Sequence, residues 1–283
     1  MESYRLEGQT FVIDDYDRKP AFSSFLPGLA GVKGIPLWTF YTNRGQGMNS
    51  FGIDNKGNAI MEFNSANTAF ENTQVKGFRT FLKIDGEDYE PLFTYEQEAK
   101  RQMRMNKNSF KIIETNEKYG IEVTVNYYVL PNESIGALVR QVSVKNIGDS
   151  AKEVQVIDGL PKIITYGIAN GEFKEMSNLF KSWADIRNLE NKVPYYTLRA
   201  STKDSAEVSD VEGGYYYLTV RDGKLQDVIY DVDTVFGYDL SLMTPVNFID
   251  GSIEGVLSKE QCFANKVPCG FTPFKAEIKA GED

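Results

Sequence analysis

Apolar and polar residues alternate through the middle of the chain, and this alternation predicts antiparallel strands. Between residues 121 and 129 every second side chain is apolar: Ile121, Val123, Val125, Tyr127 and Val129. A period of two places them on one buried face of a strand, with the intervening polar residues on the other face. Residues 110–114 and the polar turn 115–119 complete a predicted hairpin, and residues 138–144 and 154–160 predict two further strands. Antiparallel strands joined by short turns are typical of a β-sandwich.

Other segments rich in aromatic and β-branched residues predict strands at 4–13, 37–42 and 78–84. The Asp222-Gly223 pair supplies the positive φ that a tight turn needs, and it predicts a hairpin that joins residues 215–220 to residues 225–230. We therefore predict a mainly β fold, with one large antiparallel β-sandwich domain spanning residues 1–283.

One segment departs from the alternation. Its large apolar residues recur at helical spacing: Phe173, Met176, Phe180, Trp183 and Ile186. This spacing predicts a short amphipathic helix, or helical excursion, over residues 172–188, and the alternative is an aromatic plug without regular structure. Residues 64–68, with the sequence NSANT, are expected to form a polar loop, and the charged run 95–101 is expected to be a solvated face.

The formal net charge of −9, from 31 basic and 40 acidic residues, disfavours binding to nucleic acid or to an anionic membrane surface. The chain contains no apolar run near the roughly 20 residues that a membrane-spanning helix needs. Its charged, alternating start does not resemble a signal peptide. We therefore expect a cytoplasmic protein with no nucleic-acid or membrane partner.

The sequence contains no histidine. This excludes Ser-His-Asp and Cys-His catalysis, histidine-ligated metal sites and an imidazole general base. Cys262 and Cys269 cannot complete a zinc site by themselves. In a reducing compartment they are expected to be ordinary small apolar residues, although their spacing leaves a disulfide open. No Asp-rich loop indicates a metal site, and no pair of acidic residues has a spacing that marks it for glycoside chemistry.

Residues 14–52 combine aromatic residues with three prolines and a Gly-rich turn. Functional residues concentrate in loops of this kind when a larger scaffold holds them. Trp38 could stack on the apolar face of a pyranose ring, while Arg44, Gln46 and Asn49 could satisfy the hydroxyl groups of the sugar. The alternative is that Trp38 faces the core. The turn that begins at Arg44 lacks the strand–turn–helix context of a phosphate-binding loop, and a turn that lets a neighbouring chain or a sugar approach the backbone is favoured.

The sequence of residues 14–52, DDYDRKPAFSSFLPGLAGVKGIPLWTFYTNRGQGMNSFG, resembles the N-terminal region of a family of glycoside phosphorylases. This is glycoside hydrolase family 94, formerly grouped as glycosyltransferase family 36. The resemblance continues through residues 58–83, NAIMEFNSANTAFENTQVKGFRTFLK, and covers about a quarter of the chain. Within the family, the sequence is most similar in character to the 1,2-β-oligoglucan phosphorylases.

The resemblance implies a galactose-mutarotase-like β-sandwich, also called a supersandwich, that precedes a catalytic (α/α)6 barrel. In the family, the barrel carries the catalytic acid and the phosphate pocket. The whole enzyme splits a β-linked glucan with inorganic phosphate and releases α-glucose 1-phosphate with inversion. No barrel sequence occurs in residues 1–283, so the resemblance transfers no catalytic residue and no cofactor to this chain. Mutarotases use histidine, so mutarotase activity is not expected from the fold.

The resemblance further implies that loops of the sandwich border the mouth of the active site in the barrel of the same protein, or in that of a partner subunit if the protein is a homodimer. Trp38, Arg44, Gln46 and Asn49 are the positions expected to face a β-linked gluco-oligosaccharide or the partner domain. The alternatives are a stand-alone carbohydrate-binding module and a purely structural domain for interdomain or oligomeric contacts.

Overall fold

The computed structural model describes residues 3–29, 31–93, 98–202 and 206–283. The strands, in chain order, are β1 (Tyr4–Glu7), β2 (Thr10–Asp14), β3 (Ser23–Leu26), β4 (Leu37–Thr42), β5 (Met48–Ile53), β6 (Ala59–Met61), β7 (Arg79–Ile84), β8 (Glu87–Tyr89), β9 (Lys100–Met105), β10 (Ser109–Asn116), β11 (Ile121–Val129), β12 (Leu138–Asn146), β13 (Lys152–Leu160), β14 (Ala184–Arg187), β15 (Tyr195–Leu198), β16 (Tyr215–Tyr216), β17 (Val220–Arg221), β18 (Lys224–Leu225) and β19 (Gly270–Ile278). The α-helices are α1 (Ala66–Lys76), α2 (Asn170–Lys181), α3 (Val232–Phe236), α4 (Val246–Ile249) and α5 (Ile253–Leu257). The predicted mainly β fold is confirmed.

The chain divides into two compact units. The first comprises Met1–Asp54, Asn64–Gln155 and Lys275–Asp283, and the second comprises Asn55–Phe63 and Val156–Phe274. The expectation of a single domain over the whole chain stays a prediction.

A six-stranded antiparallel sheet forms one layer of the first unit, in the order β1-β2-β9-β10-β11-β12. β10 and β11 pair over their full length, from Ser109 opposite Tyr128 to Asn116 opposite Ile121. This register confirms the predicted hairpin, and β12 adds the predicted third strand. The five alternating apolar residues of β11 are all buried, as a period of two requires.

Aromatic rings join this sheet to a second layer that contains β3, β4 and β5. Tyr41 of β4 stacks on Phe110 of β10 with ring centroids 4.5 Å apart, and Phe110 stacks on Tyr127 at 4.7 Å. Phe78 contacts both Tyr127 and Phe51 of β5. Rings from both sheets therefore share one core, which is the arrangement of a β-sandwich.

The helices differ in part from the expected ones. α1 begins at Ala66, inside the segment expected to be a polar loop, because helical hydrogen bonds start at Ser65. α2 confirms the helical excursion but ends at Lys181, and Met176 interrupts its helical backbone. Ile186 lies on β14 opposite Tyr196, so its helical spacing from the preceding aromatic residues is coincidental.

Two predicted strands are shorter than expected. The segment 4–13 is a hairpin rather than one strand, because Gly8 turns the chain with a φ of +62° between β1 and β2. The turn at Asp222-Gly223 is present, but strand pairing around it is limited to β17 and β18. In both cases the glycine that allows the tight turn also fixes where the neighbouring strands end.

We expect Phe110→Ala to lower the free energy of unfolding by about 3–5 kcal/mol, because Phe110 is 1% exposed and stacks on two rings. Phe25→Ala is the matched control, since Phe25 of β3 is 62% exposed. Urea denaturation followed by tryptophan fluorescence measures both. Equal losses for the two variants would contradict the described core.

Candidate functional site

The strap, as we name residues 14–52, is built into the sandwich along much of its length; Ala30 lies outside the described residues. β3 pairs antiparallel with β4, and β4 pairs with β5 across a bulge between Phe40 and Tyr41. Two connections join these three strands. The first, residues 27–36 between β3 and β4, we name the lip. The second, residues 43–47 between β4 and β5, we name the anchor turn.

Asn43 fixes the anchor turn to the start of the strap, and its side chain is fully buried. Its amide nitrogen donates to the carbonyl of Tyr16 at 2.9 Å and to that of Pro20 at 3.0 Å. Its side-chain oxygen accepts from the backbone N–H of Phe22 at 2.9 Å. The same nitrogen also donates to the carbonyl of Lys19 at 3.4 Å. One side chain therefore contacts four main-chain groups that lie outside regular strand pairing.

Two glycines shape the anchor turn. Gly45 and Gly47 have φ values of +49° and +82°, which favour glycine. A Cβ atom on Gly47 would lie 2.7 Å from the ring of Phe110. The buried hydroxyl of Tyr16 donates to the carbonyl of Gly45. A turn is therefore present at these residues, and it packs against the core. The approach of a neighbouring chain or a sugar to its backbone stays a prediction.

Gln46 lies in the interior of the first unit. Its side-chain nitrogen donates to the hydroxyl of Thr80 at 2.9 Å, and its side-chain oxygen accepts from the guanidinium of Arg140. Arg140 also donates to the hydroxyl of Tyr127 at 3.1 Å and lies 5.1 Å from the ring centroid of Phe78. Through Arg140, Gln46 thus links the anchor turn to two aromatic residues of the core.

Asn49 is buried as well, and it connects β5 to helix α1. Its side-chain nitrogen donates to the hydroxyl of Thr73 at 3.1 Å and to the carbonyl of Ala69 at 3.3 Å. The hydroxyl of Thr42 also contacts that of Thr73 at 3.2 Å. The polar side chains of β4 and β5 therefore hold α1 against the sheet.

Arg44 and Trp38 are half-buried. The guanidinium of Arg44 donates to the carbonyl of Lys19 at 3.2 Å and to that of its preceding neighbour at 2.8 Å. Trp38 lies on β4 opposite Gly52. Of the four residues predicted to face a sugar or a partner domain, these two remain partly accessible, whereas the side chains of the other two point into the unit. Contact between any of them and a ligand stays a prediction.

The lip is the exposed connection of the strap, and Val32 at its tip is 97% exposed. Asn132, between β11 and β12, contacts the backbone of the lip at this tip and beside it. Its side-chain oxygen accepts from the N–H of Val32 at 3.0 Å, and its own N–H donates to the carbonyl of Leu29 at 3.2 Å. Gly31, with a φ of +63°, lies so close to Asn132 that a Cβ atom would be 2.5 Å from that oxygen. The lip is therefore held in place while its tip faces solvent.

A buried charge cluster supports the start of the strap. Arg101 of β9 lies 2.5 Å from Asp17 and 2.6 Å from Glu114. Burial alone lowers the pKa of Arg101, but the two carboxylates outweigh this effect and raise it above its usual value. Glu114 also accepts from the backbone N–H of Leu92 at 2.7 Å and from the hydroxyl of Tyr89. Burial, with Glu114 as a second cause, raises the pKa of that tyrosine.

The expectation that the run 95–101 is a solvated face is wrong for Arg101; residues 95–97 lie outside the described part of the chain. The sequence contains a signal for this cluster. Arg101 shares the face of the buried Met103, and Glu114 shares the face of the buried Ile112. A charged residue in phase with buried apolar residues has to be paired inside the protein.

The second unit has a small, shallow hollow, lined by Ile163, Thr165, Phe173, Phe180, Lys181, Ala184, Val267 and Pro268. Elsewhere in this unit the buried Asp231 accepts from the ammonium of Lys266 at 3.1 Å and from the N–H of Cys262 at 2.9 Å. Cys262 is exposed and Cys269 is buried, and neither forms a disulfide in this structure. Their behaviour as ordinary small apolar residues stays a prediction. Burial raises the pKa of the Cys269 thiol.

Among the described residues, no group of three or more acidic or cysteine side chains is arranged to hold a metal ion. In the same part of the chain, no helix combines the length and the apolar character needed to cross a membrane. In comparisons with known proteins, the chain matches no protein-family model and no curated protein sequence.

We expect Asn43→Ala to lower the free energy of unfolding by about 2–3 kcal/mol, because the main-chain groups that its buried side chain binds lose this partner. Asn108→Ala is the matched control, since Asn108 lies exposed in the turn between β9 and β10, and its loss should change stability by less than about 0.5 kcal/mol. Chemical denaturation compares the two variants. A loss for Asn43→Ala no larger than that of the control would contradict the anchoring role.

Proposed function

We propose that this chain is the non-catalytic N-terminal domain of a β-glucan phosphorylase, of the kind that acts on β-1,2-linked oligoglucans. In this proposal, the domain borders the active-site mouth of a helical barrel in the same protein. The barrel performs the inverting phosphorolysis to α-glucose 1-phosphate, with inorganic phosphate as co-substrate and no cofactor.

The observation that carries the proposal is the division of the strap into a buried anchor turn and an exposed lip. Its sequence is the part of the chain that resembles the phosphorylases, and its lip projects from the first unit with a strongly exposed tip at Val32. Asn132 binds the backbone of Val32 and of Leu29. Backbone that is already held in this way loses little conformational entropy on docking, which suits a fixed border of an active site.

The lip presents both apolar and charged side chains to solvent. Beside Val32 it carries the exposed Ile35 and Lys33, and Ile135 is exposed in the connection that supports it. Apolar side chains of this kind fit another protein surface or the apolar face of a sugar ring better than they fit hydroxyl groups. This favours a border that packs on a neighbouring domain over a free-standing sugar site.

The alternative of a stand-alone carbohydrate-binding module has less support. Sugar recognition needs planar polar groups that are free to bind hydroxyls. The side chains of Gln46 and Asn49 already bind partners inside the first unit. The partly accessible side chains of Trp38 and Arg44 are the features that such a module would have to use.

The first test measures glucose 1-phosphate released from β-1,2-gluco-oligosaccharides and phosphate. We expect no release by the 283-residue chain and release by the complete protein that contains the barrel. Release by this chain alone would contradict the non-catalytic assignment. Micromolar binding of these oligosaccharides by the chain alone, measured by calorimetry, would favour the binding module instead.

The second test changes the lip in the complete protein. We expect Val32→Ser to raise KM for the oligosaccharide about fivefold with a smaller change in kcat, because about 1 kcal/mol of apolar contact is lost at the mouth. Val208→Ser is the matched control, since Val208 is strongly exposed in the second unit. Unchanged kinetics for Val32→Ser would count against a lip at the active site.

A further inference from the structure

The outer edge of the six-stranded sheet carries an exposed apolar row. β1 is the last strand at this edge, and within the described residues it pairs with β2 alone. Tyr4, Leu6 and Phe11 are 45%, 71% and 41% exposed, and they lie on the sheet face that includes the buried Ile13. Soluble proteins usually protect an edge strand from such exposure, because an unprotected edge pairs with another strand.

The main chain of β1 is oriented to accept a further strand. The N–H of Asp14 donates to the carbonyl of Ser3 at 3.0 Å, so these two residues form a hydrogen-bonded pair. Hydrogen-bonded and non-hydrogen-bonded pairs alternate along an antiparallel ladder. The backbone N–H and C=O groups of Tyr4 and Leu6 therefore point away from β2.

The charges of β1 complement those of a second copy of the same strand. Arg5 and Glu7 flank Leu6 on the opposite sheet face. If two copies pair antiparallel about Leu6, each Arg5 lies opposite the Glu7 of the other copy. These are non-hydrogen-bonded positions, where side chains approach most closely. Pairing centred on Arg5 would instead set two guanidinium groups against each other, which is destabilising.

We propose that β1 is a self-pairing edge through which two copies of this chain form a symmetric dimer. The two six-stranded sheets continue into one another across the two-fold axis, and the row of Tyr4, Leu6 and Phe11 meets the same row of the second copy. A two-fold interface uses one surface on both copies, which is what the self-complementary charges fit. Because β1 is only four residues long, the association is weak and depends on concentration.

The charges at this edge already have partners within the chain. Arg5 pairs with Glu7 at 2.6 Å and with Asp14, and Glu7 also pairs with Arg104 at 2.5 Å. All four side chains remain partly exposed, and exposed ion pairs contribute little to folding stability, so exchanging an intrachain for an interchain partner costs little. We expect substitutions at Arg5 and Glu7 to leave the fold intact. The proposal does not depend on the function proposed above.

Sedimentation equilibrium of the 283-residue chain tests the apolar row. We expect a monomer–dimer equilibrium whose dissociation constant rises at least tenfold in Leu6→Lys, because a lysine pair replaces the central leucine pair. Leu240→Lys, at a strongly exposed leucine of the second unit, is the control and should leave the dissociation constant unchanged. A chain that stays monomeric at every concentration, or an equal effect of both substitutions, would overturn the proposal.

A charge-swap experiment tests the register. In a homodimer, Arg5→Glu sets two glutamates against each other and Glu7→Arg sets two arginines against each other, so each variant alone should be at least tenfold weaker in self-association. An equimolar mixture of the two variants restores an opposite charge across the interface, and we expect it to form heterodimers more tightly than either variant forms homodimers. Circular dichroism checks that each variant is folded. A mixture that remains monomeric would overturn the proposed pairing.

Discussion

The buried guanidinium of Arg101 is the interaction on which the position of the strap depends. It lies between Asp17, at the start of the strap, and Glu114, on the central strand β10. Removing one partner of a buried ion pair leaves an uncompensated charge and costs about 3–5 kcal/mol. Because Tyr16 precedes Asp17 and donates to Gly45, the same cluster also sets the place of the anchor turn.

Beyond this cluster, polar side chains play different parts at the two connections of the strap. At the anchor turn, amide side chains such as Asn43 and Gln46 satisfy main-chain and side-chain groups in the interior. At the lip, Asn132 holds the backbone and leaves Val32 facing solvent. These polar side chains of the strap therefore serve folding.

The sequence predicts the features that depend on periodicity and turn chemistry, such as the hairpin of β10 and β11. It does not predict where an amide side chain points. The residue types of Gln46 and Asn49 are equally consistent with an exposed sugar site and with a buried polar contact. Their direction depends on Arg140 and α1, which are distant in sequence. The start of α1 is not predicted because small polar residues favour both loops and helix starts.

The central claim is that the strap has a fixed anchor and an exposed lip, and native-state hydrogen exchange tests it most directly. The N–H of Thr42 donates to the carbonyl of Gly47 at 2.8 Å, and the N–H of Gly47 donates to that of Arg44 at 2.9 Å. We expect both amides to exchange only through global unfolding, whereas the amide of the exposed Lys33 in the lip exchanges through local opening. Equal exchange rates at the anchor turn and the lip would contradict the account.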